Sequence, residues 1–136
     1  MVRITGEYQG DLHCTAVHGP STQQLVTDAP KDNQGRGEAF SPTDLTATSL
    51  ATCMATTMAL VARKHGVELQ GLRYEVTKEM SADSPRRVAR LAVTLFMPVR
   101  REALPEGLME KAAAGCPVAL SLNPEIQRPT TLVWPE

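Results

Sequence analysis

The feature that most constrains the fold of this chain is an uncharged run of eighteen residues, from Leu45 to Ala62. A run of this length is nearly enough to cross a membrane as a helix. Six of its residues are serine or threonine, however, whereas a membrane span would hold more leucine, isoleucine and phenylalanine. We therefore interpret the run as a helix that protein surrounds on nearly every side, and we expect no membrane insertion. Because 136 residues can hardly wrap such a helix completely, we expect a partner subunit and predict a homodimer.

The residues that flank this run define the ends of the predicted helix. Ser41 can act as the N-cap, Pro42 suits the first helical position, and Asp44 suits a capping box. At the other end, positive charge on the last turn is followed by a glycine that can adopt the left-handed conformation. The sequence therefore predicts a helix from Pro42 to about His65.

Short segments with strand and turn patterns precede and follow this helix. Strands are predicted at residues 2–8, 12–17 and 23–27 before it, and at 73–80, 88–97 and 126–134 after it. Two short helices are predicted at 106–114 and 117–122. The order βββ-α-ββ-αα-β indicates an α+β fold, in which antiparallel sheets pack on a long central helix. The length predicts a single domain that spans residues 1–136.

Composition excludes several classes of function. Fourteen Lys and Arg against fifteen Asp and Glu leave a net charge of −1, and aromatic residues make up 4%. Proteins that follow phosphates carry a basic excess, and proteins that stack bases need aromatic rings, so we expect no nucleic acid partner. The chain opens without a basic segment followed by an apolar run, so no signal peptide is predicted. Three cysteines without such a signal are typical of thiols in a reducing compartment, and we expect a cytoplasmic protein.

Two cysteines occupy positions that suggest chemistry. Cys53 lies in the middle of the uncharged helix, on a face that combines hydroxyl groups with apolar side chains. Cys116 precedes Pro117 at a helix start, where free amides and the helix dipole favour the thiolate and predict a lowered pKa. A cysteine in a buried helix is often only a small apolar residue, so a structural role for Cys53 stays open.

The third cysteine, Cys14, is interpreted as structural. A metal site built from Cys14, His13 and His18 is conceivable, but alternation along a strand puts His13 on the opposite face from Cys14. The chain also has no CxxC pair, which argues against a zinc site. We therefore expect neither a metal nor an organic cofactor.

Three segments together resemble the OsmC/Ohr superfamily of peroxide-reducing proteins. They are SPTDLTATSLATC, which ends at Cys53, its continuation CMATTMALVARKHGVEL, and AAAGCPVALSLN, which holds Cys116. The coarse order of elements also matches over essentially the whole chain. The resemblance implies an OsmC-like fold, an intertwined homodimer and a peroxidase that acts through cysteine.

The resemblance also implies a mechanism and a set of site residues. Cys53 would attack a hydroperoxide and become a sulfenic acid, and Cys116 would then form a disulfide with it. An external dithiol, either a lipoylated protein or a small thiol, would restore both thiols. An apolar rim around Cys53 would favour organic hydroperoxides over hydrogen peroxide. In the family, an arginine held by a glutamate activates the first thiol, and the candidates for these roles are Arg36 and Glu38, with Arg3 as a weaker alternative to Arg36.

One position departs from the family pattern and keeps other functions open. Thr43 stands where the well-defined peroxidases carry the glutamate, and Asp44 after it can serve as a cap only. An alternative is therefore an OsmC-like protein without strong peroxidase activity that binds a small ligand or senses redox state. Cys–His hydrolysis is disfavoured, because His65 would lie roughly 18 Å along the helix from Cys53 at 1.5 Å per residue.

Overall fold

A computed structural model describes all residues, 1–136, and confirms the predicted order of elements. The strands are β1 (Ile4–Tyr8), β2 (His13–His18), β3 (Gln24–Asp28), β4 (Arg73–Met80), β5 (Val88–Phe96) and β6 (Thr130–Val133). The helices are α1 (Pro42–Arg63), α2 (Leu108–Ala114) and α3 (Pro117–Ser121). Short 3₁₀ turns occur at Lys31–Asn33 and Arg101–Ala103. The α+β class predicted from the sequence is therefore confirmed.

The chain forms two compact units, Met1–Thr46 and Ala47–Glu136. Each unit contains one three-stranded sheet. The sheet of the first unit has the order β1-β2-β3 and is antiparallel throughout. The sheet of the second unit has the order β4-β5-β6. A single domain over residues 1–136 stays a prediction.

The start of α1 is the capping box that the sequence predicts. The backbone N–H of Asp44 donates to Ser41 Oγ at 3.0 Å, and the N–H of Ser41 donates to Asp44 Oδ2 at 2.9 Å. The helix ends at Arg63, two residues before the predicted end. There the bonds tighten to a three-residue spacing, as in the N–H of His65 donating to the carbonyl of Ala62 at 2.9 Å.

The prediction of antiparallel sheets is wrong for one pair of strands. β4 and β5 form the expected antiparallel hairpin, but β6 pairs parallel with β5, with Val93 opposite Thr130. The chain between β5 and β6 contains both α2 and α3, and a crossover of that length can return the chain in the same direction. The second sheet is therefore mixed.

One face of α1 supplies much of the core of the second unit. Its buried stripe includes Leu50, Met54 and Met58, which are 0–2% exposed and belong to one apolar cluster with Leu91 of β5. The opposite face is open, and Leu60 on that face is 57% exposed. Within one chain, apolar burial follows only one stripe of α1. The expectation that protein surrounds the helix on nearly every side, with a partner subunit completing the cover, stays a prediction.

The length and the hydropathy of α1 are those of a membrane-spanning helix. The helix is long and apolar enough to cross a membrane, with a mean hydropathy of 1.5 over eighteen residues. Core helices of soluble proteins have the same length and composition. The buried stripe of α1 in the apolar cluster is typical of such a core helix.

Candidate active site

Cys53 lies on the open face of α1, in the middle of the helix. It is partly buried and packs against the edge of the apolar cluster. An open groove of about 460 Å³ surrounds it. The residues that line the groove come from α1 and from the start of α3, and they are Ser49, Thr52, Cys53, Thr56, Thr57, Leu60, Pro117 and Val118. A small molecule can therefore reach the side of α1 that carries the thiol.

Cys116 is the N-cap of α3, as the sequence predicts. Its backbone is extended, with φ −66° and ψ 145°, and its sulfur accepts the N–H of Ala119 at 3.3 Å. Pro117 occupies the first turn of the helix. The Cys116 side chain is 0% exposed, so the cap lies inside the core and away from solvent.

The two thiols lie close to each other. Cys53 is close enough to Cys116 to raise the pKa of its thiol, and Cys53 lines the groove together with Pro117, the residue that follows Cys116. Both cysteines are free thiols in the structure. The chain therefore brings together two sulfurs that are sixty-three positions apart in the sequence, since 116 − 53 = 63.

The prediction of a lowered pKa for Cys116 is wrong. Burial raises the pKa of the Cys116 thiol above its ordinary value of 9.0, and the backbone amides of Ala119 and Val118 lower it only in part. The hydrogen bond and the negative charge of Cys53 raise it further. Cys116 is therefore held in its neutral thiol form.

The two residues expected to activate Cys53, Arg36 and Glu38, lie in the first unit, where both contact Asp28. The Arg36 guanidinium donates to Asp28 Oδ1 at 3.3 Å and lies 3.7 Å from Asp11 Oδ2. Glu38 contributes its backbone N–H, which donates to Asp28 Oδ2 at 3.2 Å. The carboxylates that hold Arg36 are thus those of aspartates, and a role of Arg36 or Glu38 toward Cys53 stays a prediction.

Asp28 is a residue that the sequence reasoning missed. It is 2% exposed and also bonds His13, whose Nδ1 lies 2.5 Å from Asp28 Oδ1. The hydrogen bond from His13, together with Arg36, lowers the pKa of Asp28. An aspartate at the end of a strand, before a polar loop, is common in sequences. The burial of Asp28 and its bonds to His13 and Arg36 are therefore visible only in the structure.

The histidines do not form a Cys–His pair with Cys53 in the groove. The residues that line the groove include no histidine. In the first unit, His13 bonds Asp28 and His18 Nδ1 lies 2.6 Å from Ser21 Oγ. The register also places His13 and Cys14 on opposite faces of β2, as strand alternation predicts.

The family model described as OsmC-like protein matches residues 35–128, which include both thiols. The chain belongs to the OsmC family. A solved structure from Psychrobacter arcticus 273-4, of a protein described as an osmotic stress induced and detoxification response protein, is 42% identical. Its TM-score is 0.88, and the match covers 97% of this chain and 96% of that one. A search of curated proteins found no match.

More distant solved structures share the OsmC-like fold. An organic hydroperoxide resistance protein OsmC from Legionella pneumophila is 16% identical, with a TM-score of 0.79 and coverage of 98% of this chain and 96% of that one. An OsmC-like protein from Mycoplasma pneumoniae is 20% identical, with a TM-score of 0.75 and coverage of 98% and 97%. The predicted fold family is therefore confirmed.

Proposed function

We propose that this OsmC family protein is a thiol-dependent reductase of organic hydroperoxides. The observation that supports the proposal is the pairing of Cys53, on an open groove, with the buried thiol of Cys116. An oxidant can reach the first sulfur, and the second sulfur is placed to act on what the first becomes. The apolar side chains of the groove, including Leu60 and Val118, suit the organic part of a hydroperoxide.

The proposed reaction has two steps before reduction. The thiolate of Cys53 attacks the terminal oxygen of ROOH, so the O–O bond breaks, Cys53 becomes a sulfenic acid and ROH leaves after taking up one proton. The sulfur of Cys116 then attacks Cys53, and the sulfenic hydroxyl leaves with the proton of Cys116 as water. Because the pKa of Cys116 is raised, this thiol still holds that proton when the sulfenic acid forms.

A dithiol from outside completes the proposed cycle. It exchanges with the Cys53–Cys116 disulfide, is itself oxidised to a disulfide, and leaves both protein thiols reduced. A lipoylated protein or a small dithiol has the chemistry for this step. No metal or organic cofactor takes part in the proposed cycle.

The experiment that tests this function is consumption of cumene hydroperoxide with dithiothreitol as reductant. We expect steady consumption by the wild type and none above background by Cys53→Ser. Cys14→Ser is the matched control, because it removes a thiol of the first unit that is outside the groove, and it should keep full activity. Equal activity in Cys53→Ser and the wild type would remove Cys53 from the mechanism.

A second candidate function is a redox sensor or a small-ligand binder with little turnover. It is favoured by the carboxylate of Asp44, which accepts the N–H of Ser41 in the capping box, and by Thr43 at the family's glutamate position. Under this alternative the Cys53–Cys116 disulfide forms once, and excess dithiol gives no sustained consumption of hydroperoxide. A ligand that binds the groove would still raise the melting temperature.

The proposed assembly is a homodimer in the cytoplasm. The sheet of the first unit exposes apolar side chains, among them Ile4, Tyr8 and Leu25, at 46–66% of their area. A second copy of the chain would cover such a surface. Light scattering at micromolar concentration should give twice the mass of the chain, and a monomeric mass would contradict the proposal.

Arg36 is proposed, from the family resemblance, to favour the thiolate of Cys53. Arg36→Gln should then slow alkylation of Cys53 at neutral pH, because the thiolate is the reactive form. Arg63→Gln is a matched control, since Arg63 is an exposed arginine whose partner is Glu68 at 3.3 Å. An unchanged alkylation rate in Arg36→Gln would refute the role.

A further inference from the structure

We propose that Thr57 binds the departing oxygen of the hydroperoxide beside Cys53 through its hydroxyl group. The inference rests on the proposed function, because it assigns a further residue to the same groove. Thr57 follows Cys53 by four residues on α1, and both side chains line the groove. Residues four apart share a helix face, and helical side chains lean toward the N-terminus, so Thr57 leans over the turn that carries the thiol.

The hydroxyl of Thr57 differs from those of Thr52 and Thr46 because it donates no hydrogen bond within the protein. Threonines inside helices usually donate to the carbonyl four residues earlier. Thr52 does so with Thr48 at 2.8 Å, and Thr46 with Pro42 at 3.4 Å. Thr57 has no such bond and no other hydrogen-bond acceptor in the structure.

Burial separates Thr57 from the remaining hydroxyl groups of the groove. Thr56 is exposed, so water can satisfy it, and Ser49 already has a polar interaction of its own. Thr57 is half-buried and lines the groove, so water is only in part available to its hydroxyl. A polar oxygen of a bound molecule would supply the acceptor that the protein does not.

The proposed reaction creates such an acceptor. When the thiolate of Cys53 attacks the terminal oxygen, the electron pair of the O–O bond moves to the inner oxygen, which leaves as an alkoxide and takes a proton from water. A donor at the inner oxygen stabilises this developing charge and holds the O–O bond in line with the sulfur. Since the hydroxyl of Thr57 is unused before substrate binds, no protein hydrogen bond has to break.

The first test compares Thr57→Val, which removes the hydroxyl and keeps the side-chain shape, with Thr57→Ser, which keeps the hydroxyl. We expect Thr57→Val to lower kcat/KM for cumene hydroperoxide by about 100-fold, the cost of losing one such donor. Thr57→Ser should restore most of the rate. Thr46→Val is the matched control, since it removes a threonine hydroxyl of α1 outside the groove, and it should match the wild type. If Thr57→Val does not fold, Thr57→Ala carries the same prediction.

The second test separates the chemical role from a structural one. Iodoacetamide attacks the same thiolate but releases iodide, a much weaker hydrogen-bond acceptor than an alkoxide. The alkylation rate of Cys53 should therefore be the same in Thr57→Val and the wild type. Equal kcat/KM in these two proteins would overturn the role of Thr57 and leave the proposed function standing, and so would a parallel loss of alkylation and peroxide reduction. A wild type that consumes no hydroperoxide would overturn both.

Discussion

The two paired thiols have the same chemistry and opposite surroundings. Cys53 lies on the open face of a long helix, at a groove of about 460 Å³, whereas Cys116 is 0% exposed at the start of a short helix. A molecule from solution can reach Cys53, but Cys116 is placed to meet its neighbour. Under the proposed function, surroundings rather than residue type decide which thiol meets the oxidant and which resolves the product.

Removal of Cys116 should produce the largest effect, a loss of steady hydroperoxide turnover without a loss of the first attack by Cys53. In Cys116→Ser the first attack by Cys53 needs nothing from Cys116, so one equivalent of alcohol should form per subunit at the wild-type rate. Steady turnover with dithiothreitol should then fall by an order of magnitude or more, because the sulfenic acid lacks its nearby thiol. Rapid-mixing kinetics with mass spectrometry of the sulfenic acid measures both phases. Unchanged steady turnover would show that Cys116 does not resolve the intermediate.

The contrast between the two faces of α1 should appear in stability. Met58 is 0% exposed on the buried stripe, and Met58→Ala should lower the free energy of unfolding by about 2–5 kcal/mol. Leu60 is 57% exposed beside the groove, and Leu60→Ala should change it by about 0.5 kcal/mol or less. Urea denaturation of both variants measures the two values. A loss for Leu60→Ala as large as for Met58→Ala would show that the open face is covered in solution.

Local patterns made much of the fold predictable from the sequence. The capping box of Ser41 and Asp44 and the cap at Cys116 depend on residues within a few positions of one another. The hairpin of β4 and β5 joins two consecutive strand patterns through a short turn. The parallel pairing of β6 was not predictable in this way, because a strand pattern carries no information about direction.

The sequence identified the two candidate thiols, but it did not predict the burial and the pKa of Cys116. The resemblance pointed to Cys53 and Cys116, and the structure brings these thiols together. The pKa of Cys116 was predicted in the wrong direction, because the amides of its own helix are visible in sequence and the burial that outweighs them comes from other elements. The hydrogen bonds of buried Asp28 were not predicted either, because its partners come from separate parts of the chain, from His13 to Glu38.

Because Cys116 caps α3, its replacement by alanine should lower the free energy of unfolding more than the same replacement of Cys53, by a smaller margin than for Met58 and Leu60. Cys116→Ala removes the acceptor of the Ala119 N–H inside the core, and loss of an N-cap costs about 1 kcal/mol. Cys53→Ala should change stability by about 0.5 kcal/mol or less, because Cys53 is only partly buried. Urea denaturation of the two variants, both in the reduced state, measures this difference. Equal losses would indicate that the sulfur of Cys116 contributes nothing as a cap.

The coupling between the thiols predicts the smallest effect, a shift in the pKa of Cys116. Burial is the largest cause of its raised pKa and is kept in Cys53→Ala, but the hydrogen bond and charge of Cys53 are lost, so the pKa should fall relative to the wild type. A pH titration of the Cys116 Cβ chemical shift by NMR, which needs no reagent to reach the buried thiol, measures the shift.

The same coupling has a consequence for stability, with a definite sign. A folded pKa above the ordinary 9.0 means that the contribution of Cys116 is complete below pH 9 and is lost as pH rises through the folded value. Cys53→Ala brings the folded value closer to 9.0, so unfolding free energies compared at pH 8 and pH 10 should differ less in Cys53→Ala than in the wild type. An identical alkaline loss in the two proteins, together with an unshifted NMR titration of Cys116, would mean that Cys116 is insensitive to its neighbour. The two thiols would then be close in space without acting as a pair.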